Sequence, residues 1–242
     1  MIDVHCHILP GVDDGAASID EALAMARAAQ REGVKAIFAT PHVARGSYDT
    51  EPGAIRSAAQ GFAVHVRQAG LALAVYPGAE NSPEADLPDG CRAGRVMTLG
   101  LSKFVLVEAP VAELPWLFEK LLFKLMVAGF RPVLAHPERN PTLQNDFRRL
   151  ATISRTGSVL QVNARSLSGF YGSRVRAFAE RIVREGHAGL IGSDAHGPRD
   201  YDGLARAREW ILETGGEEAL AGIVANEDAL MRAVTEDVPA GL

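Results

Sequence analysis

The chain has 242 residues, of which 47% are hydrophobic and 23% charged. Such a composition excludes disorder and allows one sizeable core, so a single domain over residues 1–242 is expected, close to the roughly 250 residues of an eight-stranded α/β barrel. A formal charge of −5 gives no long-range attraction to nucleic acid or an anionic membrane, because both need clustered positive charge.

The first residues, Met1-Ile2-Asp3-Val4-His5, show no basic region followed by an apolar run. No later apolar stretch approaches the ~20 residues needed to span a bilayer. A cytoplasmic protein without membrane insertion is expected.

A strand is predicted over 2–6. The first helix then opens on Ser18-Ile19-Asp20-Glu21, a capping box in which Ser18 and Glu21 satisfy backbone donors reciprocally. Ile19, Ala22, Leu23, Ala26 and Ala29 mark its apolar face. A strand over 36–40, a helix over 52–69 and a strand over 73–77 follow. Residues 81–97, rich in Pro, Asp, Gly and Arg without a period, read as the longest loop. Strands over 104–108, 132–136, 159–163 and 189–193 then alternate with helices over 114–128, 144–155 and 173–185. Helices over 204–213, 217–224 and 226–234 complete the order, and residues 239–242 are expected to fray. Strands that are continuously apolar rather than alternating suit burial on both faces, as in a parallel sheet wound with helices.

Metal-competent side chains fall at the C-terminal ends of these strands, the face on which parallel α/β barrels build active sites. His5 and His7 end the first strand, His42 the second, Glu80 the third, Glu108 the fourth and His136 the fifth. Asp194 and His196 end the seventh. Only His65 and His187 of the seven histidines lie elsewhere.

Each residue alone has a blander reading. A lone His is more often satisfied by its surroundings than a ligand, Asp13 and Asp14 suit a turn before Gly15, and Asp194 suits a helix cap. The joint placement outweighs these readings. Nitrogen and carboxylate ligands without thiolate suit Zn, Mn or Fe, and eight or nine ligands exceed the needs of one ion, so two or three divalent ions are expected. Adjacent divalent ions can clamp a phosphoryl group and generate a nucleophile from water near neutral pH. Phosphate ester hydrolysis follows. Arg139 and Arg199, each three residues after a candidate His, offer planar forks for phosphate oxygens, although either also suits a helix surface.

A thiol mechanism is excluded by spacing. It needs Arg six residues after Cys, where Cys6 is followed by Val12 and Cys91 by Met97. Neither cysteine belongs to a Cys-x-x-Cys motif, and alternation turns Cys6 away from the face of His5 and His7.

The string from Met1 to Gly15, MIDVHCHILPGVDDG, with Ala39-Thr40-Pro41-His42, His136-Pro137-Glu138-Arg139 and Ser193-Asp194-Ala195-His196, resembles the PHP (polymerase and histidinol phosphatase) superfamily. More narrowly, it resembles the bacterial manganese-dependent tyrosine-protein phosphatases of capsule and exopolysaccharide biosynthesis. The resemblance spans residue 1 to about His196. It implies a distorted TIM-like (β/α)7 barrel with a trinuclear, manganese-preferring centre. His5, His7, Glu80 and Asp194 would hold one ion, Glu80, Glu108 and His136 a second, and Asp13, His42 and His196 a third. Glu80 would bridge, Asp13 would also count with the catalytic groups, and Arg139 and Arg199 would bind phosphate. The implied substrate is a phosphotyrosine protein, with a bacterial tyrosine autokinase carrying a tyrosine-rich tail as partner. A small-molecule phosphatase acting on a substrate like histidinol phosphate, and a non-catalytic metal-binding PHP module, are the alternatives.

Overall fold

The computed structural model describes residues 1–236; the expected fraying of 239–242 lies outside the described residues. The first strand, β1 (Ile2–Cys6), leads into α1 (Ile19–Arg31), which is followed by β2 (Ala36–Ala39) and β3 (His42–Val43). Next come α2 (Pro52–Gln68), β4 (Ala74–Pro77), β5 (Glu80–Asn81) and a short α3 (Leu87–Arg92). The second half runs β6 (Phe104–Glu108), α4 (Phe118–Val127), β7 (Arg131–Ala135), α5 (Pro141–Asn145), α6 (Phe147–Arg155), β8 (Val159–Asn163), α7 (Ala164–Ser168), α8 (Ser173–Arg184), β9 (Ala188–Gly192) and α9 (Leu204–Glu236).

All strand pairings are parallel. β1, β2 and β4 form one ladder, and β3, β5, β6, β7, β8 and β9 another. The two ladders are parts of one closed sheet. β3 resumes the line of β2 after Thr40 and Pro41, and β5 resumes that of β4 after Gly78 and Ala79, with His42 paired to Glu80. Pro41 has no N–H for a ladder, which accounts for the interruption. On the other side, Asp194 N donates to His5 O (2.8 Å) and His7 N to Ala195 O (2.9 Å), joining the end of β9 to β1. Among the described residues, nine segments thus occupy seven positions of a TIM-like α/β barrel.

Val4, Phe38, Leu106, Val133 and Leu190 fill the barrel interior, and Leu230 and Val234 of α9 pack with them. A larger apolar layer lies between the strands and the helices, where Cys6 is buried and donates its Sγ–H to Phe38 O. Cys6 therefore faces away from the two histidines that flank it.

Several helices differ from expectation for local reasons. In α1 the Ser18 hydroxyl accepts from Glu21 N (3.2 Å), but Glu21 Oε2 takes Ala17 N (3.0 Å) rather than the cap's own N–H. The helix expected over 144–155 is two, because Asp146 leaves helical geometry and caps α6 by accepting from Arg149 N. α9 is broken once, at Gly216, where φ is 73°. α3 and α7, of six and five residues, fall below the length at which a period can be read.

Candidate metal centre

The C-terminal ends of the strands converge on one buried cluster of imidazoles and carboxylates. His5, His7, Glu80, His136 and Asp194 are each at most 3% exposed, although ionisable groups are rarely that buried without partners. His5 and His7 reach each other through Nε2 atoms 3.1 Å apart. His7 stacks on His196 with ring centroids 4.0 Å apart, and the His42 ring lies 4.5 Å from that of His7.

Local backbone geometry supports this convergence. The register of β1 against β2 slips between Asp3 and Cys6, so Val4 packs in the barrel interior while the next residue, His5, also reaches the interior side chain of Gln161. His136 (φ 34°) and Asp194 (φ 53°) sit in the left-handed region, a conformation that costs free energy in non-glycine residues and collects at functional sites. At Gly15 an added Cβ would lie 1.9 Å from His7 O, so only glycine lets the 13–16 turn close on β1.

Among the described residues, three groups of side chains bring ligand atoms within 4.8 Å of one another: His5, His7 and Glu80; His5, His136 and Asp194; and His7, Asp14, His42 and His196. Of the residues singled out from the sequence, His5, His7, His42, Glu80, His136, Asp194 and His196 are all brought together here. Asp13 lies outside the three groups. Its Oδ2 accepts from His7 Nδ1 (2.6 Å) and His42 N (2.9 Å) and its Oδ1 from Gly15 N (3.1 Å), so both oxygens are engaged in holding the turn and the ring. Asp14, half-exposed, belongs to the third group, with Oδ1 3.4 Å from His196 Nε2 and 3.7 Å from His42 Nε2. Glu108 ends β6 but falls outside the three groups.

Burial and the neighbouring charges set the direction in which each of these side chains is shifted. Burial pushes the His7 imidazole down, but Asp13, Asp194 and Glu80 outweigh it and raise the pKa to about 10. His5 is raised in the same way, with Glu80 and Asp194 overcoming burial, and so is His42 through Glu80. Against the desolvation that would lift them, Glu80 is held well below the carboxylate range by His5, His136 and His42, and Asp194 is lowered by His5, His7 and His136. Burial and the Glu80 charge raise Glu108. Burial and His7 lower His196.

Glu80 Oε2 supplies the test of whether a cation fits. It is buried without a hydrogen-bond partner among the described residues, yet His42 Nδ1 lies 3.1 Å, His5 Nε2 3.3 Å and His7 Nε2 3.6 Å away. A buried carboxylate oxygen surrounded by imidazole nitrogens is satisfied by a divalent ion with mixed N and O ligation. The far nitrogens fit as well. Nδ1 of His5 meets Gln161 Oε1 (2.9 Å), that of His7 meets Asp13, and that of His196 meets Asp194 O (3.0 Å), which leaves each Nε2 free to ligate.

Two guanidinium groups border the cluster. Arg139 donates Nη1 to Asp194 Oδ2 (2.8 Å), and its Cζ lies 4.4 Å from the centre of the Tyr171 ring. Arg165 of α7 was not anticipated. It pairs with Asp200 (2.5 Å), lies over Phe170 at 3.4 Å, and has its Cζ 5.8 Å from the Tyr171 ring. Asp200 in turn accepts from His196 N and Gly197 N. Arg199 stands exposed on the turn Pro198–Tyr201. Gln161 and Asn163, which link His5 to Asp194 through side-chain hydrogen bonds, also escaped the sequence reading. Two polar residues on alternate positions of an otherwise apolar strand were the available signal.

The comparisons with known proteins agree with this geometry. The family described as "Capsular polysaccharide synthesis, CpsB/CapC" matches residues 1–232. The tyrosine-protein phosphatase YwqE of Bacillus subtilis (strain 168) is 34% identical over 233 residues, covering 96% of this chain and 92% of that protein. The putative tyrosine-protein phosphatase CapC of Staphylococcus aureus is 31% identical, covering 81% and 77%. A crystal structure from work on YwqE of Bacillus subtilis and CpsB of Streptococcus pneumoniae, described as unique metal-dependent tyrosine phosphatases, superposes with a TM-score of 0.90 at 33% identity, over 96% of this chain and 95% of that one. This chain belongs to the CpsB/CapC family of capsular polysaccharide synthesis.

Proposed function

We propose that this chain is a metal-dependent protein-tyrosine phosphatase, hydrolysing phosphotyrosine in proteins that regulate capsule or exopolysaccharide biosynthesis. The observation that carries the reading is the unpartnered Glu80 Oε2 amid three imidazoles, which asks for a cation. The activity named for YwqE supports the substrate class.

Two or three divalent ions are held in this reading, with Mn²⁺ preferred and Fe or Zn compatible with the same donors. His5, His7, Glu80, His136 and Asp194 would hold one or two of the ions, with Glu108 beside them. Asp14, His42 and His196 would hold another. Bound there, divalent ions supply water activation and neutralise charge on the phosphoryl oxygens.

The chain's own groups do the rest. Arg139 binds the phosphoryl oxygens through its planar fork, and its contact with the Tyr171 face keeps that fork oriented. Arg199, on the rim, is a secondary phosphate contact. Asp13 holds His7 in the tautomer and direction that ligation requires. The leaving phenolate has a pKa near 10, so electrostatic stabilisation suffices and no strong general acid is required.

The physiological substrate in this reading is a bacterial tyrosine autokinase with a tyrosine-rich tail. The protein acts as one domain over 1–242 in the cytoplasm; no helix among the described residues is long and apolar enough to cross a membrane. The deciding experiment compares turnover of a phosphotyrosine peptide with that of histidinol phosphate, in the presence of Mn²⁺. The peptide is expected to have the higher kcat/KM. Preference for histidinol phosphate would place the chain among small-molecule phosphatases, and absence of turnover on both would make its metals structural.

A further inference from the structure

Beneath the cluster, two buried amides connect a carboxylate to an imidazole. Gln161 and Asn163 are both 0% exposed and alternate on β8, so they share the face that looks into the barrel. Asp194 Oδ2 receives Arg139 Nη1 at 2.8 Å and Asn163 Nδ2 at 2.7 Å. Arginine can only donate, so this oxygen is an acceptor and Asn163 must turn its NH₂ toward it. Asn163 Oδ1 then accepts from Gln161 Nε2 at 2.8 Å. The remaining Gln161 atom, Oε1, faces His5 Nδ1 at 2.9 Å.

An amide oxygen only accepts, so His5 must carry a proton on Nδ1. Nε2, on the opposite side of the ring, is the atom turned toward His7 Nε2 (3.1 Å) and Glu80 Oε2 (3.3 Å). Reversing either amide would set oxygen against oxygen or donor against donor in a site without exposure to water. The chain is also clamped at its sides. Glu138 Oε1 accepts from Asn163 N (2.9 Å) and from Ser166 Oγ (2.6 Å). At Gly192 an added Cβ would lie 2.7 Å from Gln161 Nε2 and 2.8 Å from His5 Cβ, so the backbone of β9 supports both.

We propose that Gln161 and Asn163 are positioning residues whose fixed hydrogen-bond polarity, set by Arg139 and Asp194 at one end, holds His5 in the Nδ1–H form with Nε2 directed into the metal cluster. The inference rests on the proposed function only for the role of His5 as a ligand. It makes Arg139 more than a phosphate contact, since the same guanidinium also sets the orientation of the amides.

The test uses protein labelled with ¹⁵N in histidine and a long-range ¹H–¹⁵N correlation, recorded metal-free and with the diamagnetic probe Zn²⁺, together with Zn²⁺ affinity from chelator competition. Wild type is expected to show a His5 proton on Nδ1, protected from solvent exchange, in both states. Gln161→Met, which removes the acceptor, is expected to lose that protection and to bind Zn²⁺ about 10- to 100-fold more weakly, the usual effect of losing a ligand's outer partner. Gln161→Glu gives up the donor to Asn163 Oδ1 but keeps the acceptor that faces His5, so it is expected to retain the Nδ1 proton and bind Zn²⁺ more tightly than Gln161→Met. An unprotonated Nδ1 on His5 in wild type, or undiminished Zn²⁺ affinity in Gln161→Met, would overturn the proposal. If Gln161→Met does not fold, the wild-type and Gln161→Glu spectra decide. Should wild type take up no Zn²⁺ at all, the proposed function falls, while the metal-free spectrum still judges the amide chain.

Discussion

Asp13 and Asp14 are neighbours with different work. Asp13 spends both oxygens on His7, His42 and Gly15, whereas Asp14 reaches toward His42 and His196 from the solvent side. Asp13→Ala is therefore expected to weaken metal binding by about 10- to 100-fold by releasing the His7 ring; calorimetric titration with Mn²⁺ measures it. The Arg residues separate by position. Arg139→Ala is expected to lower kcat/KM on a phosphotyrosine peptide by about 100-fold, the scale of losing a preorganised donor, and Arg199→Ala, exposed on its turn, by less. Steady-state kinetics of the two variants checks the order.

The raised imidazoles also fix a pH dependence. With the His7 pKa near 10 and those of His5 and His42 raised, the metal-free cluster holds protons at neutral pH that ligation must expel. Metal affinity should rise with pH, and binding should release protons, measurable as a dependence of the calorimetric heat on buffer ionisation. The sign for stability is opposite. Since the folded pKa of His7 lies above its ordinary 6.5, its contribution to the metal-free protein is full below about 6.5 and is lost as pH rises through about 10. Absence of proton release would contradict the charge balance described for the cluster.

At the scale of elements, His5-x-His7 was legible because alternate residues of one strand share a face, and each further candidate ligand followed a strand whose apolar run was plain. The breaks in the barrel wall were harder to read. Thr40-Pro41 and Gly78-Ala79 interrupt two strands, so His42 and Glu80 belong to short segments of two residues each, too short to carry a pattern. Gln161 and Asn163 went unread because an uncharged amide is a weaker sign of a metal site than an imidazole or a carboxylate, and its value appears only when its partners are known. Arg165 was missed since α7 is a single turn after β8 and nothing in the local sequence reports that Asp200 faces it. Gly192 ties element to site. Gly192→Ala is expected to destabilise the protein by about 1–3 kcal/mol, the usual cost of overpacking, because β9 must move away from Gln161 and His5. Denaturant unfolding of the metal-free protein reads that loss apart from any effect on ligation.

For the whole molecule, the barrel solves an electrostatic problem. A chain of net charge −5 gathers carboxylates at one mouth, and imidazole partners with bound cations turn that mouth into a place for an anion. Metal then links activity to stability. A ligand held at 100 times its dissociation constant adds about 2.7 kcal/mol to a folded state that alone binds it, so chelation is expected to lower the melting temperature, and Mn²⁺ to restore it.

The most direct test of the account strips the protein of metal and titrates Mn²⁺ back while recording phosphate release from a phosphotyrosine peptide. Turnover should be absent without metal, should appear on addition, and should saturate only beyond one equivalent. Turnover that persists in the fully stripped protein, or after both His5 and His7 are replaced by Ala, would contradict it.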